Sequence, residues 1–126
     1  MAENFAIKKI EDNRVTSEFL NCYKLAGRID AETSQEFELT MRLLQKQEKY
    51  VVFDFSELNY INSFGIGILV DLQKNILKNE GIVKICGLSP SIKKIFQITY
   101  LTRVFEIFEN FEQALDSFHN KSAGGE

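Results

Sequence analysis

Asn62-Ser63-Phe64-Gly65-Ile66-Gly67 stands between an apolar run, Tyr50 to Phe55, and an amphipathic stretch that reaches about Asn79. The first run reads as a mostly buried strand. The second places Ile66, Leu69, Val70, Gln73, Ile76 and Leu77 on one stripe at helical spacing. A strand, a short polar turn and two glycines opening a helix specify an α/β layered domain. Such a turn is also a place where sites are built: the first amides of a helix lack intrahelical partners, and the macrodipole favours negative charge there. This turn carries a hydroxyl and a phenylalanine but no carboxylate, an odd set for a chemical centre.

Outward from the turn, the chain has the dimensions of one domain. Its 126 residues are enough to bury a core without metals or disulfides. Eleven Phe and no Trp predict an aromatic-rich interior. A net charge of −3, with lysines spread along the chain, argues against a dedicated nucleic-acid binder, which concentrates basic residues on one face. No apolar run approaches the roughly 20 residues of a membrane span. The stretch Met1 to Phe5 lacks the basic and hydrophobic regions of a signal peptide. Cys22 and Cys86 lie far apart in apparent strands with no histidine nearby, and read as two buried free thiols. A cytoplasmic protein without membrane insertion, metal or cofactor is the expectation.

Phe5 to Ile10 and Phe19 to Ala26 read as strands, the second ending with Gly27-Arg28-Ile29-Asp30. Thr33-Ser34-Gln35-Glu36 fits a capping box opening a helix that runs to Gln47, with Phe37, Met41 and Leu44 inward. Beyond the central helix, Asn79-Glu80-Gly81 reads as a stop, with the glycine left-handed. Ile82 to Cys86 is a short strand, and Ser89-Pro90 an N-cap and first helical residue. Arg103 to Phe108 reads as a last strand, and Asn110 caps a last helix bearing Phe111, Ala114, Leu115 and Phe118. Residues 1–120 form the expected domain, a mixed sheet with about four helices. Lys121 to Glu126 form a polar, disordered tail. Strands joined through helices require parallel pairing.

Catalytic chemistry finds little support in these residues. His119, the one histidine, sits on the last turn of a helix near the C-terminus, and a serine-based triad would need it to reach a nucleophile from that frayed end. Asp30, Asp54 and Glu57 stand at unrelated spacings, as caps and turn formers do. No phosphate loop, dinucleotide fingerprint or zinc-protease motif occurs.

The run from Asp54 through Ile68 and Leu69 resembles the signature of STAS domains, as found in bacterial anti-sigma factor antagonists. That signature is a strand ending in Asp-Leu-Ser, a short loop, then Asp-Ser-Ser-Gly-Leu-Gly opening a helix. Leu25 to Asp30 resembles the family's element before the first helix. Asn79-Glu80-Gly81, Leu88-Ser89-Pro90 with Ile95-Phe96, and Tyr100-Leu101 through Ile107 fall where the family places later elements. The resemblance implies an α/β STAS-like fold and a non-catalytic interaction module in a partner-switching pathway. The implied partner is an anti-sigma factor that is itself a histidine-kinase-like ATPase. In that family the serine just before the first glycine is phosphorylated, which adds about −1.5 to −2 charge and blocks binding.

In this register the acceptor position is Phe64, the preceding serine is Ser63, the motif aspartate is Asn62, and a later family glycine is Tyr100. Phenylalanine accepts no phosphoryl group, so the usual off-switch is absent at that position. Ser63 is a substitute acceptor or, with Asn62, an N-cap. At about 100° per residue Phe64 falls near Ile68, Asp71 and Asn75, opposite the expected core stripe. It is either an exposed contact or a ring folded back against Tyr60. The expected partner surface comprises Asp30, Asn62, Ser63, Phe64, Gly65, Ile68, Asp71 and Asn75. Two other classes stay open: a subunit docking onto a lipid-transport or other ATPase complex, and a small nucleotide-binding domain.

Overall fold

A computed structural model describes residues 4–15 and 17–124, with side chains to His119. Five strands pair in the order β1-β2-β3-β4-β5: Ala6–Lys9, Leu20–Ile29, Tyr50–Ile61, Ile82–Cys86 and Glu106–Phe108. β1 runs antiparallel to β2, and all later pairs are parallel. Helices α1 (Ser34–Gln47), α2 (Ser63–Lys78) and α3 (Pro90–Ile98) supply the crossovers, and α4 (Phe111–Gly124) ends the described chain. The backbone of α4 continues four residues into the expected tail, and residues 125 and 126 lie outside the described residues.

The pleat sends alternate β3 residues to opposite faces. Val51, Phe53 and Phe55 join Phe37, Met41, Leu69, Leu72, Ile76 and Phe96 in one apolar layer. Val52 faces the other way, with Leu20, Cys22, Cys86, Ala114 and Leu115. The aromatic-rich interior is a chain of ring contacts through Phe53, Phe55, Phe96 and Phe105.

Several boundaries depart from the sequence expectation. β2 and β3 run on to Ile29 and Ile61, well past Ala26 and Phe55. Their parallel pairing continues through Ala26↔Glu57, Arg28↔Tyr60 and Ile29↔Ile61, with register shifts between Lys24 and Ala26 and between Gly27 and Arg28. These irregularities break the period-2 pattern that marks a strand in sequence. The last strand is shorter than Arg103 to Phe108, because Leu101–Arg103 winds into a 3-10 turn before it. At the end of α2 the left-handed residue is Glu80 (φ 66°), not Gly81. Gly81 answers a close approach instead: a Cβ there would lie 2.0 Å from the Lys49 carbonyl oxygen.

Candidate functional site

The turn before α2 sits at the C-terminal edge of the parallel strands, locked to the turn before α1. The Asn62 amide donates to the Ile29 carbonyl at 2.9 Å, joining the ends of β3 and β2. Asn62 is the N-cap of α2, its side-chain oxygen accepting from the Gly65 amide at 2.8 Å. Gly65 is buried, and a Cβ there would meet Ile29 Cγ2 at 2.7 Å and Ile61 Cγ1 at 2.9 Å. Of the residues expected in a contact surface, this one is packed inward and seats the helix on the strand ends. Ser63 is exposed as the first helical residue, and Phe64 follows it with 52% of its surface in solvent. The ring does not plug the turn.

Asp30 closes the neighbouring turn. Its carboxylate accepts from the amides of Glu32 at 3.0 Å and Thr33 at 3.2 Å, and pairs with Arg28 Nε at 3.5 Å. Burial alone raises its pKa, but the two amides, the guanidinium and the Thr33 hydroxyl together hold it below the usual carboxylate value. The expected capping box does not form. The Thr33 side chain makes no cap to α1; its hydroxyl donates to the Arg28 carbonyl at 2.8 Å and accepts from the Asp30 amide at 2.9 Å. The hydroxyl is committed to those two partners, while the Asp30 carboxylate takes the amides of Glu32 and Thr33 just ahead of the helix.

The remaining predicted contacts follow a rotated α2. Gly65, Leu69, Leu72, Gln73 and Ile76 are buried, whereas Leu77 is 50% exposed. The core face is thus displaced from the expected stripe, because α2 packs on α1 as well as on the sheet. Gln73 is held inside by bonds with Val83 and the Val104 carbonyl. Ile68, Asp71 and Asn75 line a small groove against Glu38, Met41, Arg42 and Gln45 of α1. Asn75 Nδ2 donates to Gln45 Oε1 at 3.3 Å, so this residue ties the two helices together rather than standing free. Asp71 remains exposed.

Arg28 and Tyr60 escaped the sequence reading. The Arg28 guanidinium lies 4.4 Å from the centre of the Tyr60 ring while pairing with Asp30. Only the register of the extended β2–β3 ribbon brings them together, and that register is invisible while β3 is thought to stop at Phe55. The carboxylates once grouped with Asp30 have other partners: Asp54 accepts from the Ser56 amide, and Glu57 pairs with Lys24. His119 is exposed on α4. Among the described residues no group of three or more His, Cys, Asp or Glu side chains could hold a metal ion. Among the same residues no helix is long and apolar enough to cross a membrane.

The sequence pattern of the STAS domain matches residues 8–114, from β1 into α4. The chain belongs to the STAS domain family. It is 31% identical over 84 residues to the anti-sigma-B factor antagonist of Listeria monocytogenes, covering 66% of this chain and 74% of that one. It is 23% identical over 111 residues to the putative anti-sigma factor antagonist BtrV of Bordetella bronchiseptica, covering 87% and 94%. The fold is similar to that of the anti-sigma factor antagonist SpoIIAA in its unphosphorylated form, with a TM-score of 0.73, 20% identity, and 91% and 97% of the two chains covered. As a STAS domain, the chain presents its motif turn on a rigid frame: one cap, one buried glycine and one strand-to-strand bond set where Ser63 and Phe64 point.

Proposed function

We propose that this STAS domain is a non-catalytic partner-switching module, an anti-sigma factor antagonist whose binding surface is not turned off by phosphorylation at the usual position. The observation that carries the reading is Phe64, half exposed in the first turn of α2 at the position where the family motif has its acceptor serine. The surface comprises Ser63 and Phe64, with Ile68 and Asp71 further along α2 and the Asp30 turn beside it. Burying a phenylalanine ring at an interface contributes roughly 1.5–3 kcal/mol, so Phe64 is a permanent contact where relatives carry a switchable hydroxyl. The partner is an anti-sigma factor of the histidine-kinase-like ATPase class, and the complex forms without a prior dephosphorylation step.

Affinity capture from the native cells with the wild-type chain, identified by mass spectrometry, tests the partner class. A histidine-kinase-like ATPase supports the reading; a transporter ATPase as the sole specific partner overturns it. Phe64→Ala is expected to weaken the complex about tenfold or more, and Phe64→Glu further. Incubation with the partner and ATP, followed by intact-mass measurement, should leave the wild type unmodified and phosphorylate Phe64→Ser. Stoichiometric phosphate on wild-type Ser63 would show that the off-switch had moved by one residue and had not been lost.

A further inference from the structure

Gly67 lies in the second turn of α2 on its exposed face, where a glycine lowers helix stability relative to alanine. Gly27, Gly65, Gly81 and Gly87 have reasons inside the chain. Gly65 and Gly81 leave no room for a Cβ, while Gly27 and Gly87 have positive φ and close neighbours. Gly67 has neither reason: a Cβ there would meet nothing within 4 Å, and its φ is not positive. Nothing among the described residues requires the bare backbone at this point.

Its helical neighbours indicate what does. Phe64 precedes it by three residues and Asp71 follows it by four, so the three share one face. Phe64 is half exposed, and the Asp71 carboxylate has no hydrogen bond or ion pair among the described residues. The face therefore reads as an aromatic knob, a notch of bare helix and a free negative charge, with exposed Lys74 one turn further on.

We propose that Gly67 is the point of closest approach in the partner complex. A protein surface sets main chain or a small side chain against the bare helix, receives Phe64 in an apolar socket and meets Asp71 with a lysine or arginine. This rests on the functional reading above and names the chemistry of the surface that docks.

The test uses the full chain and the purified ATPase captured by the wild type, with affinities from calorimetry and stabilities from thermal melts. Gly67→Ala should melt roughly 4 °C higher, through helix propensity alone, yet bind severalfold more weakly. Gly67→Leu should weaken binding at least about tenfold while remaining folded. Asp71→Lys should weaken it too, with a loss that shrinks as salt is raised. Opposite signs for stability and affinity in Gly67→Ala are the signature of the proposal. A melt that rises while affinity is unchanged overturns it and leaves the functional reading intact. A melt that falls overturns it as well, since the glycine then serves the fold. Should sedimentation show a dimer of this chain that Gly67→Leu abolishes, the occupant is a second copy and the proposal fails. Capture of no such ATPase by the wild type overturns the functional reading and this inference together.

Discussion

Asn62 accepts from the Gly65 amide through its side chain and donates to the Ile29 carbonyl through its backbone, so one residue both closes a helix and fixes where that helix starts. A cap of this kind contributes about 1 kcal/mol, with a range of roughly 0.5–2. Asn62→Ala is therefore expected to lower the urea midpoint by that much stability. Asn62→Asp should equal or exceed the wild type, because a carboxylate at the helix start also meets the macrodipole. Equal loss in both variants would mean that the side-chain cap contributes nothing. This cap was legible in sequence, since asparagine before a helical stripe has few competing uses. The Thr33 cap was equally well signalled and does not form. The difference is that the Arg28 carbonyl and the Asp30 amide take up the Thr33 hydroxyl, and neither follows from local spacing.

Among the elements, helices were more legible than strands, for a physical reason. Helical burial repeats along one segment, whereas the length of β3 is decided by its partner. Residues 56–61 show no alternation, yet β2 pairs with them through two register shifts. The same ribbon ends in the Asp30 turn, which makes this element acid-sensitive. Folding lowers the Asp30 pKa, so the unfolded chain takes up the proton first as acid is added. The turn's stabilisation is thus present above the ordinary carboxylate value of 3.8 and is lost as pH falls through the lower folded value. Asp30→Asn keeps an oxygen for the two amides but no charge. Chemical denaturation of both chains from about pH 2 to 6 should show wild type ahead at the upper end and the gap closing at the lower. Asp12, held at about 2 chiefly by its side-chain bond with Arg14, is common to both chains and cancels in the comparison. A gap that is the same at pH 3 and pH 6 would show that Asp30 ionisation is not coupled to folding.

For the whole molecule, the sheet divides the apolar interior into two unequal layers, and the candidate site stands on the larger one. The smaller lies under α4 and contains both thiols, with Lys84 beside it at 2% exposure. The Lys84 ammonium donates to Ser117 at 2.8 Å, pairs with Glu106 at 3.5 Å and lies 4.2 Å from the centre of the Phe118 ring, which pins α4 to the sheet. Sequence showed the apolar stripe of α4 but not this lysine, because a strand lysine normally faces water. Burial, aided by Asp12 for Cys22 and Asp54 for Cys86, pushes each thiol up to about 12. Since a raised pKa disfavours the reactive thiolate, both cysteines are inert at neutral pH unless the layer opens. Labelling by an aromatic disulfide reagent at pH 8 should be far slower in the native protein than in urea. Leu115→Ala, which removes a side chain buried in that layer, costs about 2–5 kcal/mol and should speed native labelling at least about thirtyfold if α4 lifts as a unit. Met41→Ala, a comparable loss in the larger layer, separates local from global opening. If only global unfolding exposes the thiols, rates in the two variants follow overall stability alone; a larger effect of Leu115→Ala at matched stability shows that α4 opens first. The site-bearing layer would then stay closed while α4 lifts, leaving partner binding in Leu115→Ala near the wild-type level.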